Sequence, residues 1–214
     1  DGMTPHAALQ RGLEGLALPL PAEASAKLLA YTTLLAKWNR TYNLTAIRDP
    51  EEMVSHHLLD SLAVIAHLPL QVGDTLADVG SGGGLPGIPL AIARPDWRVT
   101  LNDANEKRAA FLRQASFELA LPNVSVHQGR VEAWRPAKSF SLVISRAYAE
   151  LAQFVASCRH LVAAHGGMLA AMKGALVRDE LARVTDDCDC GQVIPLRVPL
   201  LEAQRHLVLC RRLA

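Results

Sequence analysis

The sequence lacks any apolar run approaching 18 consecutive residues, and its N-terminal segment has no basic stretch followed by an apolar one. Neither a membrane-spanning helix nor a secretory leader is expected, so the chain reads as soluble and cytoplasmic, with no membrane partner. It also lacks an excess of either charge, with 22 Lys and Arg against 21 Asp and Glu. Attachment to nucleic acid by bulk charge is therefore excluded, and any basic surface must be local. Cysteines number four and are scattered; Cys188-Asp189-Cys190 misses the two-residue spacer of a zinc knuckle or redox pair. Together with Cys158 and Cys210 they read as buried or incidental free thiols, and no metal site is expected. No lysine occurs between Asp74 and Lys107, which removes the Gly-Lys-Ser/Thr of a phosphate-cradling NTPase loop from the glycine-rich stretch lying there. Internal repeats and low-complexity tracts are absent as well.

What is present is a chain of 214 residues, half of them apolar, enough for one large domain or one domain with an extension. It is organised around residues 75–87, TLADVGSGGGLPG. Strand-like residues Thr75 to Val79 run into Gly80, Gly82, Gly83 and Gly84, and an apolar run follows from Leu85 to Ala93. A strand, a glycine turn and a helix start fit that order. Glycines let the backbone approach a ligand closely, and free N–H groups at a helix start favour an electron-rich partner. The spacing departs from the dinucleotide fingerprint, because the third glycine falls one position early. Asp78, two residues before the first glycine, suits a ligand with an ammonium group and no pyrophosphate, such as S-adenosylmethionine. Asp103, 23 residues after Gly80, closes the next strand-like run where a carboxylate can accept both ribose hydroxyls.

Three helices are expected ahead of this stretch, over residues 5–17, 22–39 and 50–67, the last capped by Asp49 and opened by Pro50. Trp38 and Tyr42 frame the turn after the second. The third carries His56, His57 and Asp60; His56 and Asp60 share a helix face, and packing or capping explains them better than a two-ligand metal site. From Leu76 onward strand-like and helix-like runs alternate, the signature of a parallel sheet with crossover helices. Strands are expected at 98–102, 124–127, 141–145 and 168–173, and helices at 105–119, 150–164 and 176–185. Runs 193–198 and 206–211 close the chain as an antiparallel hairpin. The result is an α/β, Rossmann-like sheet of seven strands whose last pair is antiparallel.

Open α/β sheets bind ligands at the carboxyl ends of their strands. The residues there are Gly80 to Leu85, Asp103, the run Gly129-Arg130-Val131-Glu132, Arg146 and Lys173. Val131 is placed to cover an adenine face and Glu132 to take its exocyclic amine. Arg146 and Lys173 are cations expected to face the mouth, whereas Arg205 and His206 read as edge residues. Arg40 and Arg48 are local cations beside Trp38 and Tyr42.

Several strings together, WNRTYNLTAIRDPEE, HHLLDSL, DVGSGGGLPGIPLAIARP, EKRAAFLRQ, RVEAW, VISRAYA, MKG and RHLV, resemble the bacterial small-subunit ribosomal RNA guanine-N7 methyltransferase family. That family is also called the glucose-inhibited division protein B family. The resemblance implies a class I S-adenosylmethionine-dependent methyltransferase domain over residues 71–214 with a helical extension over 3–70. It implies methyl transfer to guanine N7 in a 16S ribosomal RNA loop near the decoding region, on free RNA or a 30S particle, by a monomer. Position by position, Gly80 and Leu85 match cofactor-binding positions within the turn that holds Gly82 and Gly84. Val131 and Glu132 match the adenine side, Asp103 the ribose-facing acid, and Arg146 the arginine between cofactor and substrate. Arg146 and Lys173 are the expected catalytic residues. Two departures occur at the ribose side, Asn102 where Leu is common and Ala104 where Ser is. A small-molecule methyltransferase and a non-enzymatic RNA-binding module remain open alternatives; an NAD-linked oxidoreductase fits the glycine spacing poorly.

Overall fold

In the computed structural model, which describes residues 2–175, 178–185 and 187–214, seven strands form one sheet. They are β1 (Thr75–Val79), β2 (Arg98–Asp103), β3 (Val124–Gln128), β4 (Leu142–Ser145), β5 (Met168–Lys173), β6 (Cys188–Leu196) and β7 (Arg205–Arg212). Their spatial order is β3-β2-β1-β4-β5-β7-β6. β1 to β5 are parallel, and β7 runs antiparallel to both β5 and β6. The chain steps outward from β1 through β2 to β3 and then returns to the other side of β1 with β4. The crevice between β1 and β4 is therefore where strand order reverses, the place such sheets leave for a ligand.

The pleat sorts each strand between two cores. Leu76, Leu142, Ile144, Ala170, Met172, Leu207 and Leu209 point to the face covered by the N-terminal helices. Their neighbours Ala77, Val79, Val143, Leu169, Ala171, Val208 and Cys210 point to the face covered by α7 (Leu151–Cys158). Strands buried on both faces read as near-continuous apolar runs, which is why the centre of the sheet was legible.

The N-terminal helices start where side-chain oxygens satisfy their free N–H groups. Thr4 Oγ1 accepts from Ala7 N (3.1 Å) at the start of α1 (Pro5–Leu16), and Asp49 Oδ1 accepts from Glu51 N (3.0 Å) at α3 (Pro50–Met53). Between them α2 (Ala24–Tyr42) runs beyond the expected end at 39, stopping at Asn43, whose left-handed φ of 50° ends the ladder. Trp38 packs on Tyr42 (5.4 Å) and on Phe111 (5.5 Å) of α6 (Glu106–Glu118), so this aromatic ties two helices together. Leu28, Leu35 and Tyr31 of α2 share one buried cluster with Leu9 and the sheet residues named above.

The third expected helix is not a single α-helix. α3 passes into a π turn, Val54–Leu59, then α4 (Asp60–Leu62) and a 3-10 turn, Ile65–His67. An i→i+5 turn holds one more residue than an α turn, so it rotates the succeeding residues by about 100°. His57 and Asp60 are both buried, and His56 is half-buried. Among the described residues no group of three His, Cys, Asp or Glu could hold a metal ion.

Three other expectations need correction. β6 begins five residues before position 193, because Cys188 and Asp189 pair with Arg212 and Arg211 before the register shifts. Cys190 and Gly191 then stand together opposite Cys210, a bulge that brings the Cα atoms of Cys190 and Cys210 to 4.0 Å. These two form a disulfide instead of remaining free thiols; Cys158 and Cys188 are free and buried. The last helix, expected over 176–185, is α8 (Arg178–Ala182), and Leu176 and Val177 lie outside the described residues. No helix among the described residues is long and apolar enough to cross a membrane.

Candidate active site

The loops after β1, β2 and β3 are knitted together before any ligand is considered. Asp103 Oδ2 accepts from Gly82 N and Oδ1 from Asn105 N, both at 2.9 Å. Ser81 N donates to Asn102 O (2.8 Å), and the Asn102 side chain donates to Gly129 O (3.0 Å) and lies 2.9 Å from His127 Nδ1. Asn102 thus ties the second loop to the third. His127 in turn stacks on Trp134 with centroids 4.1 Å apart, backing the turn Val131–Ala133.

Asp78 lies beneath the glycine turn, fully buried. Its Oδ2 accepts from Ser81 Oγ (2.8 Å) and from Gly87 N (2.9 Å) at the start of α5 (Gly87–Ala93), which fastens both ends of the loop. Burial pushes its carboxyl up to about 7, against the pull of those two hydrogen bonds and of Arg146. Oδ1 is left buried with no partner. From α2, Tyr31 Oη donates to the Gly83 carbonyl, and burial raises the Tyr31 hydroxyl pKa.

Above this turn a cavity of about 320 Å³ opens, lined by Gly80, Asp103, Val131, Glu132, Ala147 and Tyr148 among others. Four of the residues expected to bind cofactor, Gly80, Asp103, Val131 and Glu132, thus meet on one wall. Asp78, Gly82, Gly84 and Leu85 are not on that wall; they shape the turn under it. Gly80 has φ of +68°, and a Cβ there would stand 2.8 Å from that of Ala147, so glycine is required where the β1 and β4 loops converge.

A second cavity, about 170 Å³, lies at the ends of β4, β5 and β7, lined by Asp60, Arg146, Lys173, Arg205 and His206 among others. Arg146 is at the mouth as expected. Lys173 is there too, but its ammonium is held by Glu180 Oε1 (2.6 Å) and by the carbonyls of Tyr148 (3.1 Å) and Ala149 (2.8 Å). Three N–H donors meet three acceptors, so the catalytic role expected of Lys173 gives way to bracing the loop after β4. Glu180 also accepts from Leu151 N (2.9 Å), linking that brace to α7. Arg205, read from the sequence as an edge residue, donates through Nε to Asp60 Oδ1 (3.1 Å). Asp60 and Arg205 are 145 positions apart, so no local pattern could have paired them.

A glycine turn after β1, an acid after β2, an apolar and acidic pair after β3 and this strand order together define a class I S-adenosylmethionine-dependent methyltransferase. The cavity fits that cofactor on its own chemistry. Each Asp103 oxygen keeps a free lone pair for a hydroxyl, Val131 offers an apolar wall, and the carboxyl of Asp78 lies under the loop with one oxygen unused. Among solved structures, a mutant of MtNAS in complex with S-adenosylmethionine has the same fold (TM-score 0.58, 17% identity, 87% of this chain and 73% of that one). TrmN from Thermus thermophilus also does (TM-score 0.56, 14% identity, 75% and 53%).

The chain belongs to the GidB family, rRNA small subunit methyltransferase G, whose model matches residues 24–208. A Methylobacillus flagellatus protein called Ribosomal RNA small subunit methyltransferase G is 53% identical over 200 residues, covering 94% of this chain and 95% of its own length. Its Chromobacterium violaceum namesake is 51% identical over 207 residues, covering 96% and 98%.

Proposed function

We propose that the chain methylates N7 of a guanine in a 16S ribosomal RNA loop near the decoding region, acting as a monomer on free RNA or on the 30S particle. One observation carries the reading: consecutive residues of a single loop wall two cavities, Arg146 the smaller basic one and Ala147 with Tyr148 the cofactor one. A target base held at Arg146 lies beside the cofactor's place. S-adenosylmethionine, when bound, supplies a methyl already activated on a sulfonium. The protein's own residues are left to bind, orient and exclude water.

Guanine N7 carries a free lone pair at neutral pH and has no proton to lose. That suits a cavity whose carboxylate, Asp60, is engaged by two arginines. The planar forks of Arg146 and Arg205 suit guanine O6 or a phosphate. In A-form RNA the major groove is too deep and narrow to expose N7, so the target is unpaired or extruded. Residues 3–70 serve the methyltransferase domain, 71–214, as an RNA-facing extension: Arg40 and Arg48 are exposed on it, and Tyr31 anchors it to the glycine turn. Trp38, packed between helices, drops out of that surface.

The test uses small-subunit RNA and 30S particles from cells lacking the gene, labelled S-adenosylmethionine and mass spectrometry of RNA fragments. One fragment gaining N7-methylguanosine is expected, with Arg146→Ala slowing single-turnover transfer about 100-fold. Label on another atom, in no RNA fragment, or transferred equally fast by Arg146→Ala would refute the assignment.

A further inference from the structure

We propose that Asp60 is a positioning residue for methyl transfer, a carboxylate supplied by the N-terminal extension that holds Arg146 and Arg205 as one preorganised substrate-facing pair. Asp60 is 4% exposed and sits at the first residue after the π turn. Its Oδ1 takes Arg205 Nε at 3.1 Å, and its Oδ2 lies 3.6 Å from Arg146 Nη1. Arg205 Nη1 is fixed separately on Gln204 O (2.9 Å). The two guanidinium groups come from separate segments, one after β4 and one at the start of β7. Without an anion between them, the two like charges would repel each other. Arg146 Nη1 is buried and makes no hydrogen bond, and its charge is met by Asp60 Oδ2.

The charge count fits a receptor for an electron-rich group. Lys173 and Glu180 cancel each other, and one carboxylate against two arginines leaves a net charge of +1 at the cavity. Asp60 directly follows a π turn, and such turns recur at functional sites. A carboxylate serving only to fasten the extension would have no need of both arginines at a cavity wall.

This inference rests on reading Arg146 and Arg205 as substrate-facing, so its test measures Arg146→Ala and Arg205→Ala alongside Asp60→Asn. For Asp60→Asn, single-turnover methylation of small-subunit RNA at saturating S-adenosylmethionine is expected to fall about 30-fold or more, the scale of a misplaced binding group. Cofactor affinity should stay within twofold, and RNA affinity should hold or rise because a negative charge has gone. In the Arg146→Ala background the same change should cost less than threefold, as expected of two residues acting as a unit. A rate within twofold of wild type, or an equal loss in both backgrounds, would overturn the role of Asp60. Full activity in both arginine variants would instead sink the reading beneath it. Should Asp60→Asn fail to fold, Asp60→Glu, which keeps the charge and moves it by one methylene, carries the comparison: a slowed rate at unchanged RNA affinity is expected, and undiminished activity overturns the proposal.

Discussion

Asp78 and His57 should make stability respond to pH in opposite directions over the same range. Burial holds the Asp78 carboxyl at about 7, above its unfolded value of 3.8. Its contribution is fully present below 3.8, is lost as pH rises through about 7, and is flat beyond. His57 is buried with Nε2 on Thr45 Oγ1 (2.7 Å), and burial, followed by the charge of Arg146, lowers its pKa from 6.5 to about 4. Its contribution is present above 6.5 and lost as pH falls toward 4. Between 4 and 6.5 the two slopes oppose each other and largely cancel. Asp78→Asn, a neutral isostere, removes one slope and exposes the other. At 1.36 kcal/mol per pH unit, the advantage of wild type over Asp78→Asn should shrink by about 3 kcal/mol from pH 4.5 to 7.5. Urea titrations of both proteins at half-unit steps measure it, with each free energy taken by linear extrapolation. A difference that does not change with pH would show that Asp78 is ionised in the folded protein over the whole range and refute the reasoning.

Three further outcomes rest on packing. Gly80→Ala places a Cβ 2.8 Å from that of Ala147 at φ +68°, and the left-handed backbone alone costs about 1–2 kcal/mol; calorimetry should show S-adenosylmethionine binding weakened about tenfold or more, and unchanged affinity would remove the glycine turn from the cofactor site. Lys173→Met leaves Glu180 buried without its cation, which should cost about 3 kcal/mol in urea unfolding, with part regained in Lys173→Met/Glu180→Gln. Gly12→Ala drives a Cβ to 2.2 Å from Leu59 Cδ1, where α1 meets the π turn. Overpacking of about 1–3 kcal/mol outweighs a helix-propensity gain of about 1 kcal/mol, so a lower melting temperature is expected; a rise would mean the π turn yields freely.

The sheet and the cofactor loops were readable because their signals are local. Alternation of apolar strands and amphipathic helices, and glycines and acids at fixed offsets from strand ends, fall within windows of a few residues. Asp103, Val131 and Glu132 reach the cavity because each follows a parallel strand, and parallel strands end on one edge. The hairpin's extent was less legible. Its first half is polar and carries a bulge, and pairing partners rather than periodicity decided where β6 begins.

What the chain's sequence determined by itself was the order of elements, the strand-end chemistry and hence the class of cofactor, since these depend on spacing along the backbone. Tertiary structure alone decided which distant charges meet. It set Asp60 between Arg146 and Arg205, occupied Lys173 with Glu180 and two carbonyls, joined Cys190 to Cys210, and buried Asp78 under its own loop. Each of those outcomes depends on burial and on contacts across 3 to 145 positions, and the free energy of a buried charge is fixed by what surrounds it in space, which residue spacing does not encode.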